Sequence, residues 1–188
     1  MNPFQFNETR LEGLKIIQPF FAADDRGYFM KNFEWGEFLD HHTPFSPYEI
    51  FFSKSKKGTI RGMHFQYKKP QDKLVFVVSG SIYDVAVDLR KTSKTAKSWE
   101  GFSLSDENHK MIYIPQGFAH GFQALEDNTI VAYVCGSKYD ASSDTGVLWE
   151  DKELAINWPI QDINELTISE KDRKLPSVSE FVNRYGYL

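Results

Sequence analysis

Residues 74–88 read Leu-Val-Phe-Val-Val-Ser-Gly-Ser-Ile-Tyr-Asp-Val-Ala-Val-Asp. Two β-rich runs flank Ser79-Gly80-Ser81, a turn signal. In the second run Ile82, Asp84, Ala86 and Asp88 alternate with Tyr83, Val85, Val87 and Leu89. That period of two is the signature of a strand with one face buried. Further short strands are predicted over 99–104, 110–114, 120–125 and 129–135, separated by Gly, Pro, Asn and Asp. Strands around 14–21 and 27–33 are joined by Ala22-Ala23-Asp24-Asp25-Arg26, a predicted hairpin. Helical signal is scarce: two turns over 34–41, and a short C-terminal helix opened by Ser169-Glu170-Lys171-Asp172. Many short strands at near-regular spacing predict an all-β double-sheet sandwich or barrel.

The composition narrows the function. At 188 residues the chain is long enough to bury a core without staples. It carries 22 Lys+Arg against 26 Asp+Glu, a formal charge of −4. That balance argues against a general nucleic-acid binder, which needs a basic face to displace counterions. No apolar run approaches the roughly 20 residues of a membrane helix. The first residues, MNPFQFNETRLEG, are acidic and polar where a secretory signal is basic and then apolar. The single cysteine, Cys135, leaves no partner for an intramolecular disulfide or a cysteine-built zinc site. These features predict a cytoplasmic enzyme or binding protein. It reads as one domain: an N-terminal arm over about 1–50, a core over about 50–150 and a C-terminal wrap over about 151–188.

Two segments carry histidines in a suggestive setting. One is Gly58-Thr-Ile-Arg61-Gly62-Met-His64-Phe-Gln66, the other Pro115-Gln-Gly117-Phe-Ala-His120-Gly121. Their spacings resemble the two halves of the cupin signature, which implies a jelly roll. In metal-binding cupins the first motif supplies His-x-His and then a Glu. Here Gln66 stands at the second His, and the Glu region reads Lys69-Pro70-Gln71. Two imidazoles alone make a weak site, so no metal or other cofactor is expected.

An imidazole inside a metal-free barrel suits general base chemistry, provided a carboxylate orients it. Asp84, Asp88 and Asp172 are the three carboxylates available, and spacing does not choose among them. Arg61 lies three residues before His64, one off the strand period, within reach of an anionic ligand at the mouth. Lys73 opens the next strand, where an ammonium would stabilise a developing oxyanion. On its residues alone, Tyr133 reads first as a core aromatic.

Ordered strings along nearly the whole chain identify a closer resemblance. They include Asp25-Arg26-Gly27-Tyr28-Phe29, Ile60-Arg61-Gly62-Met63-His64-Phe65-Gln66, Asp84-Val85-Ala86-Val87-Asp88-Leu89-Arg90, Ile114-Pro115-Gln116-Gly117-Phe118-Ala119-His120-Gly121-Phe122 and Ser169-Glu170-Lys171-Asp172. The chain resembles the dTDP-4-dehydrorhamnose 3,5-epimerases and their nucleotide-sugar epimerase relatives. The resemblance implies a metal-free jelly roll that forms homodimers by strand exchange. It implies inversion of C3 and C5 of a 4-keto-6-deoxy sugar on a nucleoside diphosphate, through an enolate. It makes His64 the base, Asp172 its carboxylate partner, Lys73 the enolate holder and Tyr133 the proton donor. Arg26, Arg61, His120 and Lys171 would contact substrate, with Asp144 where relatives carry a Glu. Gln66, Lys31, Glu49 and Phe51 complete the candidate binding set. Three of these depart from the family pattern: Lys31 replaces a Glu, and Glu49 and Phe51 replace a Gln and an Asn. The alternatives are a C3-only or C5-only epimerase of a CDP or GDP sugar, a metal-dependent cupin enzyme, and a non-catalytic sugar-binding cupin.

Overall fold

In the computed structural model, which describes residues 3–161 and 165–188, the two β-rich runs of residues 74–88 belong to different sheets. The chain begins β1 (Gln5–Glu8), β2 (Lys15–Gln18), β3 (Phe20–Asp24), β4 (Gly27–Lys31) and α1 (Trp35–Asp40). It continues β5 (Glu49–Ser55), β6 (Ile60–Gln66), β7 (Lys73–Ser79), β8 (Ser81–Asp88) and β9 (Trp99–Ser105). It ends β10 (Met111–Ile114), β11 (Phe118–Ala124), β12 (Thr129–Cys135), β13 (Asp144–Gly146), α2 (Glu170–Arg173) and α3 (Val178–Tyr185). One sheet has the order β1-β2-β10-β7-β12-β5, the other β13-β6-β11-β8-β9. The turn at Gly80 is therefore a corner between layers and not a hairpin. Gly80 sits at φ +81, and a Cβ there would strike the Thr129 side chain at 2.5 Å. Only glycine fits.

The two inner faces make the central core. Val75 and Val77 of β7, Ile112 and Ile114 of β10 and Val131 of β12 meet Ile82 and Ala86 of β8 and Phe118 and Phe122 of β11. This is the double-sheet jelly roll expected from the strand spacing. Each outer face is also covered. Phe38 of α1 and Phe45 lie on Leu74, Met111 and Val134 of the six-stranded sheet. Trp149, Trp158 and Phe181 of the C-terminal segment lie on Phe65, Val85 and Val87 of the five-stranded sheet.

Three expectations change. The strand predicted over 14–21 is cut at Pro19, which has no N–H to give a ladder; β2 joins the six-stranded sheet and β3 pairs with β4 instead. The predicted arm over 1–50 is accordingly divided, because β1 and β2 are built into the main sheet. Only the β3–β4 hairpin forms a separate two-stranded sheet, and it turns at Asp25-Arg26. The third change is α3, which the periodicity reading passed over. Ser177 accepts from the Glu180 N–H, and the Glu180 carboxylate accepts from the Ser177 N–H. This reciprocal capping box was visible as Ser-x-x-Glu.

The ladder between β6 and β11 sets up the site. His120 pairs with His64 and Phe122 with Arg61, so two steps along β11 match three along β6. The extra residue is a bulge. It turns Arg61, three residues from His64, onto the face that His64 occupies. Gly62 and Gly121 cross at this point. A Cβ on Gly62, at φ +134, would lie 2.5 Å from the Gly121 Cα. We therefore expect Gly62→Ala to lose about 3 kcal/mol or more of stability in urea titration. Gly36→Ala in α1, where a Cβ meets nothing within 4 Å, should gain up to about 1 kcal/mol.

Candidate functional site

A cavity of about 690 Å³ opens between the sheets. One wall is the five-stranded sheet, with Arg61 and His64 on β6 and His120 and Phe122 on β11. The facing wall is the six-stranded sheet, with Lys73 on β7, Tyr133 and Cys135 on β12, and Glu49 and Phe51 on β5. The rim is closed by the segment from Thr167 to Asp172 and by Tyr139 and Asp144.

The three candidate aspartates are shared out by the fold. Asp172, on α2, accepts from His64 Nε2 at 2.8 Å through Oδ1 and from the Gly62 N–H at 3.3 Å through Oδ2. Ser169, the N-cap of α2, fixes the Asp172 backbone N–H. Burial alone would push the Asp172 carboxyl up, but the His64 imidazole and the Gly62 and Ser169 hydrogen bonds outweigh it and hold it low. Asp84 takes the other imidazole, His120 Nε2, at 2.8 Å. Asp88 is bound to Arg90, Ser93 and Thr95, away from the cavity. A carboxylate only accepts, so Nε2 of each histidine must donate. A neutral His64 then keeps its lone pair on Nδ1, the nitrogen that makes no hydrogen bond among the described residues.

On the facing wall, burial lowers the Lys73 pKa and pushes the Tyr133 phenol well above its usual range. The phenol thus keeps its proton at neutral pH. Phe51, directly across the ladder from Tyr133, stacks on its ring at 4.7 Å and 12°. Cys135 sits opposite Lys73 in the ladder, and burial raises its thiol pKa to about 11. Arg61 is held by its neighbours on β5: Nε donates to Ser55 Oγ and Nη2 to the Lys54 carbonyl, both at 3.1 Å. At the rim Lys171 donates to Asp144, which raises the lysine pKa; Tyr139 donates to the same carboxylate.

The structure gathers His64, Asp172, Tyr133, Lys73, Arg61, His120, Lys171, Asp144, Glu49 and Phe51 at this cavity. It does not bring Gln66, Arg26 or Lys31 there. The Gln66 amide is spent inside the fold: Nε2 donates to the Lys69 and Lys138 carbonyls and Oε1 accepts from the Asp140 N–H. Arg26 stands at the tip of the β3–β4 hairpin, paired to Asp24 with its side chain 90% exposed. Lys31 is paired to Glu34. The sequence reading passed over Ser55 and Tyr139, whose hydroxyls orient charged rim groups. Ser-Lys-Ser at 53–55 was the only local signal for the first. Among the described residues no three His, Cys, Asp or Glu side chains converge as a metal site requires.

A family model described as dTDP-4-dehydrorhamnose 3,5-epimerase matches residues 8–180. A curated protein of that name from Methanothermobacter thermautotrophicus is 46% identical over 180 residues, 96% of this chain and 97% of the relative. The crystal structure of the Bacillus anthracis protein of that name, with TDP and PPi bound, has a TM-score of 0.89 at 43% identity, covering 94% of this chain and 100% of the other. A dTDP-6-deoxy-D-glucose-3,5-epimerase from Legionella pneumophila, in complex with dTDP-4-keto-L-rhamnose, gives 0.90 at 35% identity, with 94% of each chain covered.

The His64–Asp172 pair has a pH signature. The folded pKa of Asp172 lies below its unfolded value, so its stabilisation is complete above about pH 4 and is lost as pH falls through the folded value. The stability gap between wild type and Asp172→Asn, read from urea titrations at pH 7 and pH 3, should shrink at the lower pH. An equal gap at both would refute the assignment.

Proposed function

The chain belongs to the dTDP-4-dehydrorhamnose 3,5-epimerase family, a family of isomerases, and on that premise we propose that it inverts C3 and C5 of dTDP-4-dehydro-6-deoxyglucose. The comparisons do not favour the CDP or GDP sugar, metal-dependent cupin or silent-binder alternatives. The observation that carries the mechanism is the division of the candidate groups between two walls. His64 projects from one sheet, and Tyr133 and Lys73 from the other. A sugar bound between them meets a base on one face and an acid on the opposite face, which inversion at carbon requires.

The 4-ketone acidifies its neighbouring C–H bonds. His64 Nδ1 takes the proton, while Asp172 orients the ring and stabilises the imidazolium that forms. The electron pair passes to the ketone oxygen, and the Lys73 ammonium holds the resulting enolate in a desolvated setting. Tyr133, still protonated, returns a proton to the other face. Its ring is held in place by Phe51, whose stack supports this role. Arg61 and Lys171 bind the diphosphate and sugar, an anionic ligand met by a few local cations on a net-acidic chain.

Assembly belongs to the same reading. The hairpin exposes Tyr28 and Phe29 at 59% and 60%, and β5, at the edge of its sheet, exposes Ile50 and Phe52 at 62% and 63%. An unpaired apolar edge strand invites pairing. We propose a homodimer in which the hairpin of each copy extends the other's sheet along this edge and carries Arg26 and Lys31 to the neighbouring cavity. A cytoplasmic location for such an enzyme is part of this proposal.

Solvent deuterium exchange on dTDP-4-dehydro-6-deoxyglucose, followed by NMR, tests the chemistry. His64→Asn should bind dTDP normally yet exchange and invert about a thousandfold more slowly; exchange at the wild-type rate would remove His64 from the mechanism. Tyr133→Phe should retain deuterium washout while losing inverted product. If it inverts both centres at the normal rate, Tyr133 is only packing.

A further inference from the structure

Among the described residues five aspartates are buried: Asp72, Asp84, Asp88, Asp151 and Asp172. Asp88 is bound to Arg90, Ser93 and Thr95. Asp151 caps the backbone N–H groups of Glu153, Leu154 and Val178. Asp172 serves both Gly62 and His64, and Asp72 accepts from Tyr113. Asp84 differs. It is 0% exposed; among the described residues the one hydrogen bond of its carboxylate is to His120, and its Oδ1 is sealed from solvent with no partner. A carboxylate desolvated for a single hydrogen bond is a poor source of stability. What Asp84 accomplishes has to be sought in His120.

His120 faces the cavity directly across the ladder from His64, its ring edge-on to Tyr133 at 6.0 Å. Because Asp84 can only accept, the ring must carry its hydrogen on Nε2. Nδ1 makes no hydrogen bond within the described chain and is left to the cavity. We propose that Asp84 is a positioning residue that locks His120 as its Nε2–H tautomer, so that Nδ1 accepts a hydrogen bond from the C2 hydroxyl of the bound sugar. This rests on the epimerase reading above. A 4-keto-6-deoxy hexose joined to a nucleotide at C1 has free hydroxyls at C2 and C3 alone. C3 changes configuration during the reaction. A fixed acceptor therefore serves the C2 hydroxyl, whose geometry persists from substrate through enolate to product. The two imidazoles on adjacent strands divide the work: one moves a proton, the other holds the ring still while it moves.

Three measurements test this. Imidazole 15N–1H NMR of the unliganded wild-type protein at neutral pH should give His120 a protonated Nε2 and a bare Nδ1. Protonation of Nδ1, alone or together with Nε2, would overturn the proposal. Asp84→Asn offers an amide that can also donate to Nε2, and should shift the ring towards its Nδ1–H form. That variant should melt within a few degrees of wild type while losing about 10–100-fold in kcat/KM on dTDP-4-dehydro-6-deoxyglucose. On the 2-deoxy analogue, wild type and variant should turn over nearly equally. An equal loss on both sugars, or a loss accompanied by a large drop in melting temperature, makes Asp84 structural and refutes the assignment. Wild-type turnover of neither sugar would strike at the epimerase reading, and the NMR result would still decide the tautomer.

Discussion

The pairing of β6 with β11 is the constraint on which the site depends. These neighbouring strands of the five-stranded sheet bring His64 and His120 face to face. The single bulge between them swings Arg61 onto the same wall. Two glycines at the crossing let the backbones approach closely enough for this. Gly62 then offers its N–H to Asp172, so the bulge also helps to seat the carboxylate that orients His64. Register, bulge and dyad form one arrangement.

The facing wall is fixed by different means. Tyr133 belongs to the central apolar core as well as to the cavity, so its ring direction is set by packing among β7, β11 and β12. Phe51 covers its outer face. Burial, which keeps the phenol protonated, and packing, which aims it, are here two effects of one location. Lys73 gains its depressed pKa from the same apolar surroundings. The chemistry of this wall therefore comes from being dry, and that of the histidine wall from hydrogen bonds.

The strand pattern was legible because a half-buried strand writes its period into the residues themselves. The runs at 82–89, 99–104 and 129–135 reappear within a residue as β8, β9 and β12. Which strands share a sheet is not written locally, and the Ser79-Gly80-Ser81 turn shows why: a glycine at positive φ serves a corner as readily as a hairpin. The histidines were legible as a pair of motifs. Their carboxylates were not, since Asp172 is 108 residues from His64 and only tertiary packing chooses it over Asp84 and Asp88. Gln66 misled because a position on a strand does not say whether its amide faces the cavity or the loop beneath. Arg26 and Lys31 lie on a hairpin that the single chain leaves outside the cavity.

The order in which the chain is made bears on how the site is completed. His64, Arg61, Lys73 and Tyr133 all precede residue 136, within strands of the two sheets. The carboxylate that holds the His64 ring comes from α2, 108 residues further along the chain. During synthesis the strands of both walls emerge before α2 does. A nascent chain can thus assemble both walls while its histidine still lacks an orienting partner. The His64–Asp172 hydrogen bond forms only once α2 has docked, so the two walls can stand before the pair that joins them does.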